Sequence, residues 1–187
     1  EKASVNAPDI DFIFAGDLLN QCISSTFGLK NLEIPFLGQY GACSTMAQTL
    51  ALSSIMVDTG VAERCIAVTS SHFCSAERQF RFPLEYGGQR TPTAQWTVTG
   101  SGAIVVGNTG ESPCISAITV GKIIDMGIKD ANNMGAAMAP AAAATITNFL
   151  KDTKSNPNDY DLILTGDLGT VGSKLLICLL YTSPSPR

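Results

Sequence analysis

The chain has 187 residues, 45% of them hydrophobic and only 15% charged, with a net charge of −4. It is long enough for one good core, and its charge lies well below the roughly 25% usual in soluble domains. The acidic balance, with Lys and Arg scattered, argues against a nucleic-acid partner. The late apolar run Leu175 to Tyr181 is far short of the ~20 residues of a membrane span, so the low charge is read as burial. The six cysteines (Cys22, Cys43, Cys65, Cys74, Cys114 and Cys178) form no CxxC pair and there is no His cluster. Buried thiols in a reducing cytosol are therefore expected, with no metal site and no cofactor.

In chain order, Asp11 to Ala15 (DFIFA) predicts a strand, followed by Gly-Asp and a helical stretch near Gln21 to Leu29. Glu33 to Gln39 is a second short strand. Ser44 to Val57 (STMAQTLALSSIMV) has helical propensity and no charge at all, so nearly every face of that helix is expected to be covered. Cys65 to Ser70 and Val98 to Val106 are further β-rich runs, the latter broken by Gly100 and Gly102. Ile115 to Ile124 is expected to be a strand, and Asn133 to Leu150 an Ala-rich helix with Pro140 in its first turn. Tyr160 to Thr165 is the last predicted strand. Alternating strands and helices argue for an α/β fold with largely parallel sheets.

One segment returns. DIDFIFAGDL at 9–18 reappears as DYDLILTGDL at 159–168, an offset of 150 residues with six of ten positions identical. Two strands of one sheet sharing a common pattern would account for this, and so would duplication of a half-domain. On the second reading the chain divides into a first half over 1–111 and the start of a second over 112–173. After Gly172 the text changes to SKLLICLLYTSPSPR, so residues 174–187 are expected to be a non-native or frameshifted tail. The opening EKASVNAPDID shows neither Met nor a signal-peptide pattern, and both ends are read as cut.

Cys43 stands out by position. It follows a short strand and precedes a helix, whose N-terminal N–H groups and dipole would lower the pKa of a thiol placed there. Gly41, Ala42 and Ser44 allow a sharp turn. The alternative is a cysteine that only packs, and a nucleophile would need a base or an oxyanion donor besides. The single histidine, His72, follows the CIAVTS strand; it either lines the same sheet edge or is an ordinary polar residue.

These residues resemble known proteins. GACSTMAQTLALSSIMVDTGVAERCIAVTSS resembles the unit of the thiolase superfamily in which a cysteine heads a buried helix. VTGSGAIVV resembles the Gly-rich strand closing the first half of condensing enzymes, and NNMGAAMAPAAAATITNFL with DYDLILTGD resembles the opening of the second half. Within that superfamily, AGDLLNQ, IPFLGQYGACST, VTSSHFCSAERQFRFPLEYGGQR and DYDLILTGDLGTVGS are similar to the stage V sporulation protein AD family over roughly Ile10 to Ser173. The resemblance implies a thiolase-like αβαβα layered fold built from a duplicated half-domain. It also implies a role in endospore formation: binding dipicolinic acid and supporting its uptake into the forespore, without established catalysis.

Further expectations follow from that resemblance. The protein would be a homodimer, cytoplasmic and peripheral to the forespore or spore inner membrane, docked on membrane subunits of the dipicolinate-transport complex. Dipicolinate is a planar dianion, which guanidinium groups pair with and stack on. Arg78 and Arg81, with Phe80, Phe82 and Tyr86 nearby in sequence, are candidate ligand residues together with Cys43 and His72. Pairing of those arginines with Glu77 and Glu85 is the structural alternative, and Arg90 beside Thr91-Pro92 is read as solvated. A thiolase-type acyltransferase or condensing enzyme, with Cys43 as nucleophile, is the alternative function.

Overall fold

The computed structural model describes residues 3–18, 21–71, 93, 99–110 and 113–182. They fall into two compact units, the first holding residues up to 71 and 99–115, the second Thr93 and 116–182.

In the first unit, β1 (Phe12–Asp17) lies between β2 (Phe36–Gln39) and β3 (Arg64–Ser71), with β4 (Gly100–Gly107) beyond β3. β1 runs parallel to both neighbours, and β4 is antiparallel to β3. A strand with partners on both edges and cover on both faces must be apolar throughout. β1 meets that demand: Ile13, Phe14 and Ala15 are all buried. Phe14 packs with Val57, Ala62 and Cys65, while Ile13 and Ala15 pack with Val68, Leu29 and Ile34.

The connections carry α1 (Ile23–Leu29) and α2 (Thr45–Asp58). The buried face of α2 is Thr45, Thr49, Ser53 and Val57, spaced at four-residue intervals. Such small side chains let a helix backbone lie close to a sheet. Thr49 Oγ1 donates back to Met46 O at 3.0 Å, which satisfies its hydroxyl inside the apolar contact. Nearly every face of this helix is expected to be covered; among the described residues most of its positions are buried or half-buried, while Ala47 and Ile55, away from the sheet, are exposed, Ile55 by 45%. The face held against the strands is the one with the small buried side chains.

The second unit pairs α3 (Met134–Thr153) with α4 (Gly169–Thr182). Asn133 caps α3, its side chain accepting the Ala136 amide at 3.3 Å. Because the cap sits at Asn133, Pro140 falls well inside the helix and not in its first turn as the sequence predicts. It cannot donate to Ala136 O, a defect tolerated among small alanines. Gly135 and Gly172 meet backbone to backbone where the two helices cross. Leu176, Leu179 and Leu180 continue that contact with Ala139, Ala143 and Leu168, so α4 runs through the point where the sequence changes character.

Two predicted strands are corrected. Residues 115–124 and 160–165 form no ladder among the described residues. A strand becomes regular only when a neighbouring strand takes up its backbone N–H and C=O groups, and among the described residues neither stretch has a strand partner; the bonds of Tyr160 go to Pro157 and Ser155 just before it. What does return, 150 residues on, is a capped turn. Residues Ala7–Asp9 and Pro157–Asp159 are both 3₁₀ turns, with Asn6 and Asn156 before them. In each, the Asp carboxylate reaches back to the Asn amide, at 3.2 Å for Asp9 and 2.8 Å for Asp159. The chain then leaves extended, at φ −110° for Ile10 and φ −118° for Tyr160.

Candidate functional site

Parallel strands of an α/β sheet end together, and their C-terminal edge is where ligands bind in such folds. At that edge β2 ends at Gln39, and the chain turns through Ala42–Ser44, a 3₁₀ turn holding Cys43, into α2. Cys43 is exposed. It lies inside this extra turn and not directly before the first α-helical residue. The leading amides are taken up locally: Ser44 N–H donates to Gly41 O at 2.9 Å, and the Thr45 N–H donates to Ala42 O.

The turn is braced from both sides. Gly41 N–H donates to Thr45 Oγ1 at 3.2 Å, and Ser44 Oγ donates to Gly41 O at 2.8 Å. Gln48 Nε2 donates to Gln39 Oε1 at 2.8 Å, and Cys22 Sγ donates to Gln39 O at 3.1 Å. Ala42, immediately before the cysteine, has φ +47°, a left-handed conformation that costs a residue with a Cβ about 1–2 kcal/mol. A strained backbone held by this many bonds is over-determined, which is how a side chain is kept at a fixed exposed position.

A polar cluster sits at the ends of β1 and β3, and sequence reasoning missed it. Asp17 is fully buried, and its Oδ2 accepts the Ser24 amide at 3.3 Å and the Ser24 hydroxyl. Ser24 Oγ lies 3.0 Å from Ser70 Oγ, and Ser25 Oγ donates to Gly16 O at 2.9 Å. Asp17 thus caps α1 from a distance, doing what Cys22, left-handed at φ +51° and giving no side-chain cap bond, does not do. The available signal was a Gly-Asp at a strand end followed by Ser-Ser at a helix start.

Two titrating groups in this unit are displaced. Asp11 is held below the usual carboxylate range, first by the Arg64 amide and then by the Glu63 amide it accepts. Burial pushes the Cys65 thiol up, with the Asp11 charge adding to it, so Cys65 is a core thiol and no nucleophile.

Of the residues singled out from sequence, Cys43 is placed at the strand edge. His72, Arg78, Arg81, Tyr86 and Arg90, with their neighbours Glu77 and Glu85, lie outside the described residues. Among the described residues no group of His, Cys, Asp and Glu could hold a metal, and no helix is long and apolar enough to cross a membrane.

A turn this specific, with its cysteine at the head of a helix, has relatives. The family model for stage V sporulation protein AD matches residues 1–184. The chain belongs to that family. It is 52% identical over 186 residues to stage V sporulation protein AD of Bacillus subtilis, covering 100% of this chain and 55% of that relative. The chain therefore spans little more than half of its relative's length.

Among solved structures, the chain is similar to 1,3,6,8-tetrahydroxynaphthalene synthase of Streptomyces coelicolor, with a TM-score of 0.69 at 14% identity, covering 98% of this chain and 57% of the other. It is similar to a tetronic acid condensing enzyme with a TM-score of 0.65 at 17% identity, covering 95% and 62%. For 3-oxoacyl-[acyl-carrier-protein] synthase III of Aquifex aeolicus the TM-score is 0.64 at 12% identity, covering 96% and 61%. At such identities the likeness concerns the fold, which is that of thiolase-like condensing enzymes.

Proposed function

We propose that this chain is part of a sporulation protein that binds dipicolinic acid and supports its uptake into the forespore. The observation that carries this reading is the family match over residues 1–184, with 52% identity to a stage V sporulation protein. The chemistry is compatible with it. A planar dianion needs guanidinium partners and aromatic faces, and the family-specific segment supplies Arg78, Arg81 and Tyr86 in sequence. Cys43, at the head of α2, and His72 are the remaining candidate ligand residues. The protein would act as a homodimer on the cytoplasmic side, docked on membrane subunits at the forespore or spore inner membrane.

The dimer reading has support in the sheet. Among the described residues β2 is an edge strand, and Phe36 and Leu37 in it and Tyr40 just after it are exposed. Between Ile34 and Val57 there is no charged residue to discourage edge pairing.

A second reading, a thiolase-type acyltransferase or condensing enzyme, is favoured by one observation: Cys43 is exposed on a braced, strained turn at the head of α2. Calorimetry on the full-length family protein separates the two. Saturable heat with dipicolinate, lost in Arg78→Ala and Arg81→Ala, supports binding. No heat at millimolar ligand refutes it. Transfer of an acyl group from acyl-coenzyme A to Cys43, abolished in Cys43→Ser, would establish the enzyme instead.

A further inference from the structure

The winding of the sheet reverses between β1 and β3. From β1 the chain goes through α1 to β2 on one side, and α2 carries it back across β1 to β3 on the other. α1 and α2 lie on opposite faces, Leu29 packing with Ile13 and Ala15, and Val57 with Phe14. The crevice outside the carboxyl ends of β1 and β3 is therefore where sheets of this kind take ligands. The chain leaves β3 at Ser71 and continues in sequence to His72, Arg78, Arg81 and Tyr86.

Asp17 and Ser70 are paired at those two ends. Asp17 has no exposed surface, so a ligand in the crevice does not touch it. The hydroxyl protons give the cluster a direction. Ser24 Oγ donates to Asp17 Oδ2, and Ser25 Oγ donates to Gly16 O at 2.9 Å. Each of these serines has one proton and has committed it, so toward Ser70 they act as acceptors. Ser70 Oγ lies 3.0 Å from Ser24 Oγ, 3.2 Å from Ser25 Oγ and 3.3 Å from Gly16 O. The shortest of these contacts makes a chain from Ser70 through Ser24 to the Asp17 carboxylate, in which each bond polarises the next. Ser70 O meanwhile accepts the Leu18 amide at 3.0 Å. The last residue but one of β3 is thus held by side chain and main chain alike.

We infer that Ser70 is a positioning residue for the ligand site: held through Ser24 by the buried Asp17, it fixes where the chain departs from β3 toward Arg78 and Arg81. The inference rests on the reading of those arginines as ligand residues. Guanidinium groups recognise a planar dianion only at defined distances and angles. A shift at the base of the segment that carries them therefore weakens binding, although none of the three residues in the chain is a ligand group.

Calorimetry with dipicolinate and limited trypsin digestion, both on the full-length family protein, test it. Ser70→Ala and Ser24→Ala are each expected to weaken dipicolinate binding about tenfold, under conditions where circular dichroism shows both folded. The double variant should lose no more than either alone, because both break one chain. Ser70→Thr, which keeps the hydroxyl, is expected to bind within about threefold of the unaltered protein. Without ligand, trypsin cleavage after Arg78 and Arg81 is expected to be about tenfold faster in Ser70→Ala, with cleavage after Lys151 unchanged. A lowered urea midpoint in Ser70→Ala, with binding and cleavage both unaltered, would show a structural role alone and overturn the inference. Losses that add in the double variant would overturn the chain from Ser70 to Asp17. No heat with dipicolinate in the unaltered protein would defeat the ligand reading, and cleavage would still decide whether Ser70 positions the segment. Should Ser70→Ala fail to fold, Ser24→Ala gives both readouts.

Discussion

The methyl of Thr45 lies against the bare Cα of Gly16, so that a Cβ on Gly16 would land on Thr45 Cγ2 and on the Gln39 carbonyl oxygen. The contact joins the central strand, the end of β2 and the start of α2, and therefore sets where the Cys43 turn stands. Gln39 O is also the acceptor for Cys22 and cannot retreat without parting β2 from β1. Gly16→Ala is expected to cost about 1–3 kcal/mol. A urea midpoint equal to that of the unaltered protein, together with an unchanged rate of Cys43 alkylation, would remove this account.

Ser53 offers the opposite sign. Its hydroxyl is buried on the inner face of α2 with no hydrogen-bond partner among the described residues. An unsatisfied buried hydroxyl costs about 1–3 kcal/mol, and Ala removes it with little loss of volume. Ser53→Ala is expected to raise the denaturation midpoint with an unchanged slope. A lowered midpoint would show that the hydroxyl has a partner.

The crossing of α3 and α4 admits no Cβ. On Gly172 one would meet Gly135 Cα at 2.8 Å and Gly135 O at 2.9 Å. Gly172→Ala is expected to destabilise that pair by about 1–3 kcal/mol, seen as faster amide exchange across α4. Adding Gly135→Ala should cost less than the sum of the two, because both act on one contact. Full additivity would place the two glycines in separate contacts.

Acid stability should report the bonds that Asp11 accepts. Its folded pKa lies below the ordinary carboxylate value of 3.8, so its contribution is complete above that value and is lost as pH falls through the folded pKa. Asp11→Asn is expected to flatten the fall in stability below about pH 4 while changing its pH dependence little at neutral pH. Equal acid limbs in the two proteins would argue against the bonds to Glu63 and Arg64.

Cys65 should mark the alkaline side. Its folded pKa is raised above 9.0 by burial and by the Asp11 charge, so above that pH the unfolded thiol ionises first and stability declines as pH rises. Cys65→Ser is expected to remove this contribution to the decline. In the native protein, maleimide should label Cys43 well before Cys65, and reversal of that order would contradict the burial of Cys65.

Much of the first unit was legible from the chain. β1 announces itself as a short apolar run, and the Cys43 turn as small residues between a strand and a helix, because these depend on local propensity and on neighbours in sequence. The Asp17–Ser24–Ser70 cluster was not legible, since its third member arrives from 46 residues away, where β3 ends beside β1. Pro140 was misplaced for a related reason: the capping side chain of Asn133, and not the proline, starts α3.

By itself the sequence determined the α/β class, the position of Cys43 at the strand-to-helix edge, the family, and the 150-residue repeat, all of which are written in local pattern. Which apolar runs become strands was decided only by tertiary structure. DFIFA is a buried central strand because β2 and β3 take up its backbone groups, whereas DLILT, with nearly the same pattern, lies exposed because no described segment does so. Apolar alternation makes a run fit to be a strand, and only a neighbouring backbone makes it one.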